Sequence, residues 1–176
     1  MDEIYRIFPT PVALYKYKDS IDDELNYIKS IPYKPNSDPT LTHRSLNSFL
    51  FEKEELKDIY VFVNKCLKDY ARRVLATDQL LTVTQSWANT NIKGARHHEH
   101  VHPNSINAEA FRLEVQVGSC ILFPSSLRHS VPENESDEER ISMSFNTFSL
   151  DVLGSKDNLT YLNVKELLED KNNGNN

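Results

Sequence analysis

Arg140-Ile141-Ser142-Met143-Ser144-Phe145-Asn146 alternates polar and apolar residues without a break. A period of two is the mark of a β-strand with two unlike faces. Ile141, Met143 and Phe145 share one face; Arg140, Ser142, Ser144 and Asn146 share the other. That polar face has two possible settings. It can lie in water, or it can line the inside of a barrel, where Arg140 would pair with a carboxylate through its planar fork and Ser142 would add a hydrogen bond.

The same period recurs upstream. Phe111, Leu113, Val115 and Val117 alternate with Arg112, Glu114 and Gln116, and this is the cleanest strand pattern in the chain. Gly118-Ser119 predicts a turn, and Cys120 to Phe123 a short buried strand ended by Pro124. Leu81, Val83, Gln85 and Trp87 alternate with Leu80, Thr82, Thr84 and Ser86. Pro132 to Glu139 carries five carboxylates and predicts a solvated hairpin loop.

The N-terminal part is different. Ile7 to Tyr17, with Pro9 and Pro11, predicts an edge strand, because proline cannot donate to an interior ladder. Ser20 offers an N-cap to a helix carrying Ile21, Leu25 and Ile28 on one face. Pro32, Pro35 and Pro39 end it and predict a loop. From Glu54 to Ala76, residues Leu56, Ile59, Tyr60, Val63, Cys66, Leu67, Tyr70 and Val74 keep helical spacing opposite a charged face, as a helix supporting a sheet should. Helices first and strands later give an α+β, mainly β domain in which helices buttress a β core. The tail from Asp170 to Asn176 is polar and expected to fray.

Composition narrows the function. The 176 residues suit one domain, and a net charge of −6 argues against a nucleic-acid surface, which needs a basic patch. No apolar run reaches the roughly 20 residues that span a bilayer, and the first residues lack the basic and apolar regions of a secretory signal. The two cysteines, Cys66 and Cys120, are expected as buried free thiols, so a cytoplasmic location is expected. Five of the six histidines carry the chemistry. His97, His98, His100 and His102 cluster, and His129 stands alone after an apolar strand. On a regular strand His98, His100 and His102 share a face, and converging imidazoles suit a divalent transition metal. A histidine-rich tract can equally be a solvated loop, and a lone histidine can be structural.

Taken in order, these pieces resemble the iron(II) and 2-oxoglutarate-dependent oxygenases, and most closely the small oxygenases of bacteria and tailed phages. The resemblance is carried by Ile7-Phe8-Pro9-Thr10-Pro11-Val12, Gln85-Ser86-Trp87-Ala88-Asn89 and His100-Val101-His102-Pro103-Asn104-Ser105. Phe123-Pro124-Ser125, His129-Ser130-Val131 and Arg140 to Asn146 complete it. It implies one domain over 1–176 with a double-stranded β-helix (jelly-roll, cupin-like) core at 79–150. Residues 1–78 would supply the N-terminal strand and supporting helices, and 151–176 a C-terminal tail. It implies His100, His102 and His129 as iron(II) ligands, with His98 as a rival to His100. Arg140 would hold the far carboxylate of 2-oxoglutarate beside Ser142, and Asn89 would face the same cavity. O₂ and a small-molecule or peptide substrate would be the other partners, with succinate and CO₂ as coproducts; the oligomeric state stays open.

The pattern differs from the usual one in two ways. Three histidines replace two histidines and a carboxylate, and Glu99 falls on the other face of a regular strand unless a bulge intervenes. Ser105 runs directly into Ile106 where similar sequences continue with another strand, so a segment is expected to be missing there. A cupin-like metalloprotein without 2-oxoglutarate, and a degenerate non-catalytic binding module, are the alternatives.

Overall fold

The architecture is that of a computed structural model. It describes residues 10–36, 40–100, 113, 115–149, 152–153, 156–157, 159, 161–163 and 166, with the side chains of His100 and Leu153 excepted. In chain order the elements are β1 (Ala13–Lys16), α1 (Asp22–Ser30), β2 (Tyr33–Pro35), β3 (Thr42–Ser45) and α2 (Lys57–Arg73). They continue with β4 (Leu81–Asn91), β5 (His97–His100), β6 (Ser119–Leu122), β7 (His129–Val131), β8 (Arg140–Ser149), β9 (Val152–Leu153) and β10 (Leu162–Asn163). The protein is mainly β. Strands β2-β3-β4-β8 form one sheet, and β1-β6, β5-β7 and β9-β10 form two-stranded ribbons. Every one of these pairings is antiparallel, as a jelly roll requires.

The longest pairing joins β4 to β8, from Leu81↔Ser149 to Asn91↔Arg140. Its two faces differ as the alternation of β8 predicts. Ser86, Ala88 and Thr90 lie opposite Phe145, Met143 and Ile141, and this face packs on the core. The core is built by Leu50, Phe51 and Leu56 with Val63, Cys66, Leu67 and Tyr70 of α2, closed by Cys120 and Leu122 of β6. Phe51 meets Phe145 ring to ring at 5.7 Å. Leu56 is wholly buried, and burying such a side chain stabilises by about 1.5–3 kcal/mol. The other face of the sheet carries Gln85, Trp87, Asn89 and Asn91 opposite Asn146, Ser144, Ser142 and Arg140.

The helices follow the sequence with shifted ends. Two 3-10 turns, at Leu50–Glu52 and Glu54–Leu56, precede α2, so the regular helix starts at Lys57. It stops at Arg73, and Ala76 has a left-handed φ of 50°. The N-cap of α1 is Ile21, not Ser20, and no side chain caps the helix; Ser20, one residue earlier, accepts from the Asp22 amide at 3.2 Å. Tyr15 of β1 donates to Asp69 of α2 at 2.9 Å and ties the first strand to the helix. Gly118 occupies the β6 entry turn with φ +78°, a conformation that only glycine adopts without strain.

Four expectations change. Leu113, Val115 and Gln116 are not in a strand, and Val117 lies in the turn; Leu113, Val115 and Val117 are exposed, and Phe111, Arg112 and Glu114 lie outside the described residues. The proline-rich loop contains β2, which pairs with β3 and tolerates Pro35 because it is an edge strand. A register shift between Val83 and Gln85 breaks the phase of β4. Leu81 and Val83 pack on the core, but beyond the shift Ala88 does so instead of Trp87. In the tail, β9 and β10 form a small hairpin. The Ser105–Ile106 junction, residues 7–9, and the segment 170–176 lie outside the described residues. Among the described residues no helix is long and apolar enough to cross a membrane.

Candidate metal and carboxylate site

The histidine region is organised by the β5–β7 ribbon. His100 is the Cα partner of His129, and His97 is the partner of Val131. Residues directly opposite on antiparallel strands project from the same side, so positions 100 and 129 lie on one face. Between the two pairs β5 has one residue more than β7, a register irregularity of the kind a bulge makes. His129 and Val131 are two apart and share a face, so position 97, not 98, shares the face of position 100. The two-apart reading of His98 and His100 is therefore interrupted. His98 is exposed, as is Glu99, which pairs with Arg128 of the β6–β7 connection at 2.7 Å. His102 lies outside the described residues.

The direction of this face is fixed by one contact. His97 Nε2 lies 2.8 Å from the side-chain oxygen of Asn91. Asn91 is 1 % exposed and opposite Arg140 on the polar face of β4–β8. The ribbon face carrying positions 97, 100, 129 and 131 is thus turned toward the polar side of the sheet. At His129, Nδ1 lies 2.9 Å from the Leu127 carbonyl. A carbonyl only accepts, so Nδ1 carries the proton and the lone pair of the neutral ring sits on Nε2. A histidine that donates one nitrogen to a backbone carbonyl has the tautomer and fixed orientation that metal ligands use. Phe123 holds the ring further, with centroids 4.9 Å apart.

Arg140 is held at the other end of the ribbon. Its Nη1 donates to the carbonyl of Pro132, the residue after β7, at 3.0 Å. Its Nη2 is buried and makes no hydrogen bond. Among the described residues no carboxylate pairs with Arg140, so Glu138 and Glu139, its neighbours in the chain, do not neutralise it. Burial pulls the guanidinium below its ordinary pKa. A half-buried cation with an unused donor and no counter-charge among the described residues is an unfavourable arrangement that an anion would relieve.

The remaining predicted residues divide. Asn89 is buried; its Nδ2 donates to Ser144 Oγ at 3.1 Å, and its Oδ1 lies 3.5 Å from Asn36 Nδ2. It belongs to the polar face as expected, but its amide is engaged within the sheet. Ser142, its register partner, is exposed. The structure adds Asn91, Asn134 and Pro132 to the surroundings of Arg140. Asn91 had a visible signal, as an amide two residues beyond Asn89 on the same strand. Pro132 and Asn134 were hidden, because Pro-Glu-Asn-Glu has the composition of any solvated turn. Among the described residues no group of three metal-capable side chains is assembled.

Residues 106–146 match the model of the family described as "Putative 2OG-Fe(II) oxygenase". The matched stretch contains His129, Arg140 and Ser142 and ends at Asn146. No curated protein matches the chain.

Proposed function

We propose that, as a member of the 2OG-Fe(II) oxygenase family that the match over residues 106–146 supports, this chain is an iron(II) and 2-oxoglutarate-dependent dioxygenase. It would act on a small molecule or peptide, most simply by hydroxylation, with succinate and CO₂ released. The single observation that carries this reading is the Arg140 guanidinium, half-buried, with Nη2 unpartnered and no carboxylate paired with it among the described residues. A cupin-like metalloprotein has no use for such a group, and a non-catalytic module has no reason to bury it.

The residues fit both ligands. His100 and His129, opposite one another across β5 and β7, would hold the metal together with His102. Imidazole nitrogens suit iron(II) among other divalent metals. Arg140 would take the far carboxylate of 2-oxoglutarate through two parallel hydrogen bonds, with Ser142 next along the same face. Pro132, whose carbonyl accepts from Arg140 Nη1, is three residues from His129, about 10 Å at the usual strand rise. A short dicarboxylate would span part of that separation with its keto-acid end toward the histidines. Bound iron(II) supplies the activation of O₂ that oxidises a C–H bond. The protein binds and orients: the Leu127 carbonyl keeps the proton on His129 Nδ1, and the Pro132 carbonyl steadies the guanidinium. On the polar face of β4–β8, Arg140 Nη2 and the exposed Ser142 would offer the keto acid hydrogen bonds in place of water. The whole chain is read as one domain, with 79–150 as the oxygenase core and 1–78 as its support.

The test is direct. Protein loaded anaerobically with iron(II), then given 2-oxoglutarate and air, should release succinate even without a substrate, at a low rate. His129→Ala should release none. Equal succinate from both proteins, or none from the wild type with iron bound, would contradict the proposal.

A further inference from the structure

The acidic loop between β7 and β8 contains one residue unlike its neighbours. Asn134 is 6 % exposed, whereas Glu133, Glu135, Asp137, Glu138 and Glu139 are all exposed. Its side chain is fully used. Nδ2 donates to the Asn91 carbonyl at 3.0 Å and to the Glu138 carbonyl at 2.8 Å, and Oδ1 accepts from the Ser136 amide at 3.3 Å. Its backbone is used as well. The Asn134 amide donates to the Ala95 carbonyl, and its carbonyl accepts from the Gly94 amide, both at 2.8 Å. One residue thus clamps the loop to the β4–β5 turn and to its own far end. Lys93 adds an exposed ion pair to Asp137 at 2.7 Å.

Two consequences meet at Arg140. The clamp sits two residues after Pro132, whose carbonyl accepts from Arg140 Nη1. It also holds the Glu138 backbone, and so fixes where the two glutamates next to Arg140 can reach. In this arrangement neither glutamate pairs with the guanidinium, although both adjoin it in sequence and such a pair would be the cheapest neutralisation available. We infer that Asn134 is a positioning residue that keeps Glu138 and Glu139 off Arg140, so that Nη2 stays available to a carboxylate ligand. Without the clamp, the loop carries its own competitor for the anion site.

The inference rests on the proposed role of Arg140, but its first test needs no ligand. Coupling between Arg140 and the glutamates is read from a double-mutant cycle of denaturation midpoints, using R140Q and the paired change E138Q/E139Q. The cycle is run in the wild-type and N134A backgrounds, with N134S in reserve if N134A does not fold. Coupling should be absent with Asn134 present and appear in N134A. The second test titrates 2-oxoglutarate into the iron(II)-loaded proteins without oxygen. N134A should bind about tenfold more weakly, the scale of one charge-assisted hydrogen bond, and adding E138Q/E139Q should restore the affinity without restoring stability. A merely structural role for Asn134 would predict no such rescue. Coupling of equal size in both backgrounds, or none in N134A and N134S, overturns the inference. Wild-type protein that ignores 2-oxoglutarate while the cycle behaves as expected would overturn the reading of the Arg140 site and leave the clamp standing.

Discussion

The two faces of the β4–β8 pair are made by alternate residues of the same strands, yet they are built on opposite terms. On one side Ile141, Met143 and Phe145 close an apolar core with α2, where Leu56 and Leu67 are buried among their own kind. On the other, Arg140, Ser144, Asn89 and Asn91 form a polar surface whose partners are mostly accounted for: Ser144 by Asn89, Asn91 by His97 and Asn134. Arg140 Nη2 is the exception. The first face gives stability without chemistry. The second holds a cation in a place where stability alone would have put a leucine or a paired glutamate. Changes on the two faces should therefore separate folding from ligand binding.

The largest effect is expected on the apolar face. Leu67→Ala removes a buried side chain from the middle of α2 and should cost about 2–5 kcal/mol of stability. The fraction that remains folded should keep its affinity for 2-oxoglutarate. Denaturant titration alongside ligand titration checks both halves, and a large loss of affinity in folded protein would break the separation.

Next is His129→Ala, on the ribbon facing the polar side. Iron(II) affinity should fall by more than about a hundredfold, beyond the 10–100-fold typical of losing a supporting contact. Unfolding should barely change, since the ring is only partly buried. Metal titration monitored by competition with a chelator measures the first, and unchanged iron affinity would remove His129 from the ligand set.

A smaller effect is expected inside the polar face itself. Asn89→Ala leaves Ser144 without its donor and should cost about 1 kcal/mol of stability, with little change in 2-oxoglutarate affinity, because the amide is engaged within the sheet. A strong loss of ligand affinity would instead restore Asn89 as a direct contact.

The sequence made the division between these faces legible, because a period of two assigns every residue of β8 to a side. It also marked His129 and Arg140 as unusual in their positions. The register shift at Val83/Gln85 and the irregularity between His97 and His100 were not legible, because a bulge inserts a residue without changing composition. Those irregularities decide that Trp87 leaves the core and that His97 takes the face expected for His98. The alternation at Leu113, Val115 and Val117 misled for the opposite reason: these described residues keep the pattern but stand exposed and outside any strand. Asn134 was invisible because its importance comes from contacts to residues 91 and 95, some 40 positions away.

The smallest expected effect lies at the far edge of the sheet. Burial, and then the charge of Glu139, push the Tyr33 hydroxyl from 10.0 up to about 12. Its neutral form is favoured in the folded state, so the stability it contributes is complete below pH 10 and is lost as pH rises toward 12. Tyr33→Phe removes the donor to the Ile28 carbonyl and should lower neutral-pH stability by about 0.5 kcal/mol, while flattening part of the alkaline fall, as a pH series of melting curves would show. An unaltered alkaline slope would mean that Tyr33 ionises alike in both states.

The unpaired guanidinium is tested most directly by titrating 2-oxoglutarate into anaerobic, iron(II)-loaded protein, wild type against Arg140→Lys. Lysine keeps the charge but cannot offer two parallel donors. Affinity should weaken by about 1.5–3 kcal/mol, the scale of one charge-assisted hydrogen bond, with iron affinity unchanged. Equal 2-oxoglutarate affinities in the two proteins would contradict the account.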